Sequence, residues 1–343
     1  MEKYFNNKKV IIAGPCSVES EEQVMNVAKQ LDANAQISAL RGGIWKPRTR
    51  PNCFEGVGAM GLKWLKQAGN AIGKPVTTEV ARPSHVEECL KEGIDMLWIG
   101  ARTTVNPFLV QELADSLKNV DIPVLVKNPV SADLNLWLGA IERLQLAGVK
   151  NLIAIHRGFY SRKGKFRNQP DWYIPLNLRM LKPEIPIICD PSHIAGSSDF
   201  IAEISQKSMD LVFDGIMVEV HTDPARSFSD AEQQITPVQF GDMLSNLRIP
   251  KEDVDSSTQM ALEQLREEIH DIDHSILRQL SQRMELSKKI GALKREENIS
   301  KHQPEHWKSL VLERIKMGKD LELDPEFVSD IYKYIHEESI KRQ

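Results

Sequence analysis

The chain has 343 residues, of which 41% are hydrophobic and 27% are charged, and its formal net charge at pH 7 is −4. This composition is typical of a globular protein with room for one large domain and a smaller one. The acidic balance argues against a general nucleic-acid-binding protein, while leaving room for local basic sites. The polar N-terminal residues lack a signal-peptide core and no apolar run is long enough to span a bilayer, so the sequence predicts a cytoplasmic enzyme without a membrane partner.

Cys16 stands in the segment GPCSVES, directly after the apolar run VIIA. Its local sequence leaves three interpretations open: a small buried hydrophobe, a nucleophile or redox thiol, and a metal ligand. The cysteines of the chain form no CxxC pair, which argues against a zinc ribbon and against a disulfide framework. They are Cys16, Cys53, Cys89 and Cys189.

Short apolar runs alternate with stretches long enough for helices over residues 1–250. In chain order the runs are VIIAGPC, ISALRGG, PVTTEV, MLWIGA, PVLVKN, LIAIHRG, IPIICDPS and GIMVEVH. Each is too apolar for a half-exposed strand, which is typical of parallel strands covered on both faces. The pattern predicts an α/β fold, a closed (β/α)₈ (TIM) barrel in residues 1–250. An open doubly wound sheet is the alternative, weakened because no glycine-rich dinucleotide fingerprint follows the first run.

The pattern changes near residue 250. After a predicted linker at 251–257, apolar residues recur at helical spacing in residues 258–343, which predicts a small all-α domain. Pro304 and Pro325 suit the first turns of helices, and they divide this domain into one helix of roughly 30 residues or more and two shorter ones. The first helix exceeds the usual globular length, so we expect it to pack along a partner chain.

Polar side chains at the ends of three predicted strands form a candidate metal site. The first strand ends near Cys16, the seventh runs into His193 of CDPSH, and the eighth ends at Glu219 of VEVH. These strands become neighbours when the barrel closes, and Asp230 in the following loop completes the set. Sulfur, nitrogen and oxygen donors together favour a catalytic divalent metal; manganese is the first choice, with iron, cobalt and zinc as alternatives.

Asp190 and His221 are the local alternatives to these ligands. Asp190 begins the DPSH segment, and we interpret it as a turn residue or as an acid that supports a ligand. His221 follows the eighth strand, and we interpret it as a loop residue.

The other predicted strand ends are basic. Together with Thr49, they carry Arg41, Lys46, Arg48, Arg102, Lys127 and Arg157. Solvation explains single surface cations, but a cluster of them at one mouth of a net acidic protein indicates a site for strongly anionic substrates. Arginine binds phosphate or carboxylate through paired hydrogen bonds and lysine acts as a point charge, so two small phosphorylated molecules beside a metal fit this mouth.

The barrel region carries seven motifs in this order: GPCS, RGGIWKPRTRP, GARTT, VKNP, HRG, CDPSH and VEVH. Through them, residues 1–250 resemble the short, single-barrel form of 3-deoxy-D-arabino-heptulosonate 7-phosphate (DAHP) synthase. The resemblance implies condensation of phosphoenolpyruvate with erythrose 4-phosphate, the first step of the shikimate pathway. The related 3-deoxy-octulosonate 8-phosphate synthases share the barrel but typically read KANRTS where this chain has KPRT, so they are the alternative.

The resemblance also implies a role for each polar residue of the mouth. The implied metal ligands are Cys16, His193, Glu219 and Asp230. The implied substrate contacts are Arg41, Lys46 and Lys127 for the phosphoenolpyruvate carboxylate, Arg102 and Arg157 for its phosphate, and Arg48 and Thr49 for erythrose 4-phosphate. Lys46 is also the candidate that delivers a proton to the forming alkoxide, with a water on the metal as the alternative.

The first helix of the all-α domain carries three cations with informative spacing. Arg283 and Lys294 are 11 residues apart, which places them on nearly the same face and about 16 Å apart along the axis. Arg266 precedes Arg283 by 17 residues, so it points about 100° away and lies about 25 Å along the helix. It can join their site only from an antiparallel partner helix, which predicts a homodimer with two shared sites. A solvated charged face is the plainer alternative.

This arrangement resembles the all-helical chorismate mutases, through the segments LEQLREEIHDID, SQRMELSKKIGALK and HEESIKRQ. The resemblance implies rearrangement of chorismate to prephenate, with Lys294 and Gln343 facing the ether oxygen. The implied chorismate-binding residues are Arg266, Arg283, Lys294, Ser339 and Gln343. His306 and Trp307 depart from the arginine and glutamate that the family commonly has there.

A non-catalytic dimerisation and sensing module is the alternative function for the helical domain. Prephenate or chorismate bound to it would then inhibit the reaction of the barrel. Catalysis and sensing are compatible in one site, so we expect prephenate to act on the synthase in either case.

Overall fold

A computed structural model describes residues 9–46, 53–162, 164–250, 255–300 and 304–343. The chain divides into two compact units, Met1–Pro250 and Lys251–Gln343. Arg48 and Thr49, both predicted substrate contacts, lie outside the described residues. The predicted linker limits at 251 and 257 stay a prediction.

Parallel strands close into a barrel in the first unit, in sequential order around the ring. They are β1 (Val10–Gly14), β2 (Ala39–Arg41), β3 (Val76–Val80), β4 (Met96–Ile99), β5 (Val124–Lys127), β6 (Leu152–His156), β7 (Ile187–Cys189) and β8 (Gly215–Glu219). The ring closes where β1 pairs with β8, with Val10 beside Gly215 and Gly14 beside Glu219. Each strand lies within one predicted apolar run, and the predicted (β/α)₈ barrel is confirmed.

The barrel strands are buried on both faces. Alternate side chains fill the interior of the barrel: Val10, Ile12, Ala39, Met96, Trp98, Leu125, Ile153, Ile155, Ile188 and Met217. The side chains between them face the surrounding helices, as the two-residue period of a strand requires. Because the interior is packed with apolar side chains, small molecules can bind only at the ends of the barrel.

Helices cover the outside of the barrel. Those in the described part of this unit are α1 (Glu21–Asn34), α2 (Met60–Ala71), α3 (Pro83–Lys91), α4 (Ala101–Thr104), α5 (Pro107–Ser116), α6 (Leu134–Leu146), α7 (Tyr173–Leu181), α8 (Pro191–Ala195), α9 (Ile201–Asp210) and α10 (Pro237–Asn246). Side-chain N-caps fix where several of them begin; Asn106 caps α5 and Asp133 caps α6.

The segment GPCSVES turns β1 into α1 within seven residues. Gly14 ends the strand with φ of +148°, and a Cβ there would overlap the backbone of Arg41 on β2, so only glycine allows this approach. Ser20 begins the helix because its Oγ accepts a hydrogen bond from the Gln23 N–H at 3.1 Å. The position of Cys16 is thereby fixed on one side by the close approach of β1 to β2 and on the other side by the capped start of α1.

A short antiparallel hairpin follows β6, with Phe159 paired to Gln169 and Tyr160 paired to Asn168. This hairpin was not predicted, since strands of two residues are too short to show a periodic pattern. The hairpin brings Arg167 and Asn168 to the cavity at the carboxyl ends of the barrel strands.

The second unit consists of α11 (Ser256–Glu296), α12 (Pro304–Asp320) and α13 (Pro325–Arg342). The predicted division into one long and two shorter helices is confirmed, and α11 has 41 residues. An apolar stripe along α11 is 38 to 58% exposed in the single chain: Leu262, Leu265, Ile269, Ile272 and Ile276. Among the described helices none is both long and apolar enough to cross a membrane.

Candidate active sites

Cys16 lies just beyond the end of β1 and is fully buried. Its Sγ accepts a hydrogen bond from Lys46 Nζ at 3.0 Å and donates one to Asp230 Oδ2 at 3.3 Å. Burial, with the nearby Glu219 carboxylate, raises the pKa of Cys16 to about 12. With these partners the thiol is protonated at neutral pH, which argues against a nucleophilic role.

Glu219, the last residue of β8, is also fully buried. Its Oε1 forms a 3.0 Å ion pair with Arg41 Nη2 on β2, and its Oε2 accepts a 2.6 Å hydrogen bond from Gln233 Nε2. His193 Nδ1 on α8 is 3.8 Å from Glu219 Oε1. Side chains from β2 and α8 therefore meet at the Glu219 carboxylate of β8.

Asp190, the N-cap of α8, joins two other predicted site residues. Its Oδ2 is 2.8 Å from Lys127 Nζ at the end of β5 and 2.9 Å from His193 Nδ1. Burial lowers the pKa of His193 although Asp190 opposes the shift, so the imidazole is neutral at pH 7. Asp190 thus orients both a cation and an imidazole whose other nitrogen is left for a ligand.

Arg157 directly follows β6 and is nearly buried. Its Nη1 donates hydrogen bonds to the Gly158 carbonyl at 3.1 Å and to Asn168 Oδ1 at 2.9 Å. Burial lowers its pKa to about 10, which leaves the guanidinium charged at neutral pH. The remaining N–H groups of its fork suit a phosphate or carboxylate.

These side chains border one cavity of about 480 Å³ at the mouth of the barrel. Its charged and titratable lining residues are Lys46, Glu79, Arg102, Lys127, Tyr160, Arg157, Arg167, His193 and Asp230. Basic side chains outnumber the carboxylates, so the cavity favours anions.

The structure brings most predicted residues of the mouth together. Around the cavity lie Lys46, Arg102, Lys127, Arg157, His193 and Asp230; Cys16 and Glu219 contact this lining, and Arg41 joins the group through Glu219. Arg167 was not among the predicted site residues, yet its Nη1 lies 2.6 Å from Gln233 Oε1 and 3.2 Å from Asp230 Oδ1. Arg167 stands in the basic segment RKGKFRN, where nothing distinguishes it from solvated cations.

The four candidate ligands fit a divalent transition metal by donor chemistry. They supply one thiol, one imidazole and two carboxylates, and the Lys46 ammonium lies against the Cys16 sulfur, so this corner accepts a positive charge. Within the described ranges, no three His, Cys, Asp or Glu side chains are arranged around one point as ligands. Glu219 is instead paired with Arg41 and Gln233, and a metal would compete with these partners.

The helical unit gathers a second set of predicted residues. Arg283 Nη1 on α11 donates a 2.5 Å hydrogen bond to Ser339 Oγ on α13. The end of α13 packs directly on α11, because a Cβ at Gly291 would overlap the backbone of Gln343. Gly291 lies less than one turn before Lys294, and Arg295 Nη1 donates to the Gln343 carbonyl, so the C-terminal Gln343 lies at the Lys294 end of α11.

Arg266 does not join this set within one chain. It lies on the same helix as Arg283, about 25 Å away along the axis. The stacked Trp307 and His336 rings, with centroids 3.8 Å apart, connect α12 to α13. Trp307 therefore has a packing role between two helices.

A model of the DAHP synthetase I family matches residues 5–255, and the chain belongs to this family of barrel enzymes. A model of the type II chorismate mutases matches residues 265–343. The chain therefore carries a DAHP synthase domain, which is a transferase, and a chorismate mutase domain, which is an isomerase. Together they make it a bifunctional enzyme of the shikimate pathway.

Individual relatives agree with the first match. The phospho-2-dehydro-3-deoxyheptonate aldolase of Thermotoga maritima is 32% identical over 246 residues, which cover 72% of this chain and 71% of that protein. A crystal structure of this DAHP synthase superposes with a TM-score of 0.63 at 30% identity, covering 71% of this chain and 68% of that one. The 2-dehydro-3-deoxyphosphooctonate aldolase of Geotalea uraniireducens is 26% identical over 266 residues, covering 70% of this chain and 91% of that protein.

Proposed function

We propose that the barrel condenses phosphoenolpyruvate with D-erythrose 4-phosphate to DAHP and inorganic phosphate, and that the helical unit rearranges chorismate to prephenate. The single observation that carries the first assignment is the mouth of the barrel. There, Lys46, Arg102, Lys127 and Arg157 line one cavity next to Cys16. Two phosphorylated substrates need this excess of cations, and the sulfur and carboxylate donors beside it suit a metal.

Phosphoenolpyruvate would be held by the cations that the strand ends position. Lys46 and Lys127 face its carboxylate with Arg41, which is buried over the Trp98 ring at 4.8 Å. Arg102 and Arg157 face its phosphate. Arg41 and Lys46 belong to the end of β2, and Arg102, Lys127 and Arg157 belong to the ends of β4, β5 and β6, so the barrel sets their separation before substrate arrives.

Cys16, His193, Glu219 and Asp230 would hold a divalent metal, as the DAHP synthase family generally requires, and we propose manganese. When bound, the metal supplies Lewis-acid polarisation of the aldehyde of erythrose 4-phosphate. Asp190 orients His193 through its 2.9 Å contact, and Gln233 orients Glu219 at 2.6 Å. The neutral His193 ring is already in the form that binds metals.

Lys46 is the proposed proton donor. Burial by itself would lower the pKa of Lys46, but Cys16, Glu219 and Glu79 outweigh it and raise this pKa, so Nζ holds its proton. As C3 of phosphoenolpyruvate bonds to the aldehyde carbon, the aldehyde oxygen gains a proton, which Lys46 Nζ can deliver. Water then adds at C2 and phosphate leaves.

The choice of aldehyde distinguishes this proposal from an octulosonate 8-phosphate synthase. With phosphoenolpyruvate as the common substrate, we expect phosphate release with erythrose 4-phosphate to exceed that with arabinose 5-phosphate by about 100-fold in kcat/KM. Mass spectrometry of the products checks the seven-carbon acid directly. A preference for arabinose 5-phosphate would establish the alternative.

Chorismate would bind between α11 and α13, with Arg283, Lys294, Ser339 and Gln343 from one chain and Arg266 from its partner. Cations that hold two carboxylates and stabilise negative charge on the breaking C–O bond are sufficient for this pericyclic reaction. The exposed apolar stripe of α11 supports a homodimer, because its burial against a second copy would bring an antiparallel Arg266 to the site.

We further propose that prephenate bound to the helical unit inhibits the barrel reaction. The support for this proposal is that one chain carries both the synthase domain of the first pathway step and the mutase domain that makes prephenate. Prephenate at about 100 µM is expected to lower synthase turnover several-fold in the wild-type chain, a coupling of about 1–3 kcal/mol. Arg283→Ala should lose this inhibition and keep the basal synthase rate, whereas unchanged wild-type kinetics would remove the proposal.

A further inference from the structure

The loop after β8, residues 220–234, has a conformation that contacts with other parts of the barrel must stabilise. It carries Asp230, one of the four proposed metal ligands, in a left-handed conformation with φ of +47°. A residue with a Cβ rarely adopts this conformation, and it persists where surrounding contacts impose it. Arg167 contacts the Asp230 carboxylate, and further contacts to the loop come from the other end of the barrel sequence, from the GPCSVES segment.

Glu19 of this segment holds the loop through its carboxylate. Its Oε1 accepts a hydrogen bond from the Phe228 N–H at 2.8 Å and lies 3.0 Å from Ser227 Oγ. The side chain is 7% exposed. Its second oxygen is 4.0 Å from His221 Nε2, at the start of the same loop. The carboxylate is therefore directed into the β8 loop and away from solvent.

The tautomer of His221 follows from its other nitrogen. Nδ1 accepts a hydrogen bond from the Asp223 N–H at 3.0 Å, so a neutral ring carries its proton on Nε2, the atom that faces Glu19. Glu19 Oε1 thus has two donors of the loop within hydrogen-bond distance, a backbone N–H and a hydroxyl, and the His221 ring lies 4.0 Å from its second oxygen. A hydrogen-bond acceptor is therefore the group that Ser227 and Phe228 require at this position.

Two further contacts join the same segments closer to Asp230. Ser17 Oγ and Ser229 Oγ are 2.5 Å apart, and Gln234 Oε1 accepts the Cys16 N–H at 3.0 Å. Gln234 Nε2 donates to the Ser229 carbonyl at 3.0 Å. Contacts therefore flank Asp230 on both sides, and they tie its loop to the backbone of the proposed sulfur ligand.

We propose that Glu19 is a positioning residue of the barrel site, which holds residues 227–229 against GPCSVES and thereby keeps Asp230 beside Cys16. The inference rests on the proposed function, since it matters for the reaction if Cys16 and Asp230 hold the metal. GPCSVES then supplies one ligand and fixes the loop that carries another, although the two are 214 residues apart in sequence.

Glu19→Gln is the informative variant because it keeps the size of the side chain. One of its two terminal atoms becomes an NH₂ donor, which then faces either the Phe228 N–H or the His221 ring, and the negative charge that accepts from Ser227 and Phe228 is lost. Ser227→Ala removes one partner from the opposite side and is the milder second variant. Glu22→Gln, in the exposed first turn of α1, is the matched control.

Amide hydrogen exchange of the full-length protein without added metal tests the contact itself. We expect Glu19→Gln to speed exchange about 10-fold or more in peptides that cover 223–234, with a smaller effect for Ser227→Ala and none for Glu22→Gln. Unchanged protection in Glu19→Gln would overturn the proposal. This readout does not depend on the reaction or on a metal.

Metal affinity tests the consequence. In competition with a chelator for Mn²⁺, Glu19→Gln is expected to bind about 10- to 100-fold more weakly than wild type, with chorismate mutase turnover as the check that the rest of the chain is intact. Equal Mn²⁺ affinity in wild type and Glu19→Gln would overturn the positioning role. Failure of the wild type to bind Mn²⁺ would instead overturn the metal assignment on which it rests.

Discussion

Cys16→Ala is expected to lower DAHP synthase turnover by about 1,000-fold, equivalent to about 4 kcal/mol of transition-state stabilisation. The substitution removes the sulfur donor of the proposed metal site and the acceptor that Lys46 Nζ has at 3.0 Å. Chorismate mutase turnover should stay at the wild-type value because Arg283 and Lys294 lie in the other unit. Phosphate release with both substrates, together with the metal content of the purified protein, measures the effect.

Cys53→Ala is the matched control for this experiment. Cys53 is exposed, whereas Cys16 is fully buried, so the control removes a thiol without touching the mouth of the barrel. It should keep both activities and its metal. Full synthase turnover in a Cys16→Ala protein would show that the sulfur is a packing group.

Arg266→Ala and Arg283→Ala are each expected to lower mutase turnover by about 100-fold or more, since each removes a cation from the chorismate carboxylates. When the two variant proteins are mixed so that their subunits exchange, about a quarter of the wild-type mutase activity should return. At random assortment half of the dimers are mixed, and one of their two sites then has both arginines. The measurement is the rate of chorismate loss before and after exchange.

The control mixture combines Arg283→Ala with Lys294→Ala. Both side chains belong to the proposed site of one chain and lie about 16 Å apart along the axis, on nearly one face of α11. No mixed dimer then has an intact site, so no activity should return. Recovery in this control, or none in the first mixture, would contradict the crossing of Arg266 between chains.

The barrel itself could be predicted from the sequence because its strands are covered on both faces. Runs such as MLWIGA and LIAIHRG are apolar throughout, and each begins a strand, β4 at Met96 and β6 at Leu152. The order of these runs in the chain is also their order around the ring, so the neighbours of Cys16 followed once closure was assumed. The long helix α11 was equally visible, through the spacing of its apolar residues.

The supporting contacts of the mouth could not be predicted in the same way. The Gln233 side-chain amide accepts a hydrogen bond from Arg167 through its oxygen and donates one to Glu219 through its nitrogen. Neither Gln233 nor Arg167 stands in a sequence pattern that marks it as a site residue. Glu19 stands in the motif that identified Cys16, yet its partners Ser227 and Phe228 are more than 200 residues away. Such contacts depend on loop conformation, which apolar periodicity does not encode.

The most direct test of the account assays both reactions in one purified preparation, before and after a chelator removes its metal. The account predicts that synthase turnover is lost on chelation and returns with Mn²⁺, while mutase turnover is the same throughout because a pericyclic rearrangement needs no metal. Full synthase turnover in the metal-free protein, or no mutase turnover in the metal-loaded protein, would contradict it.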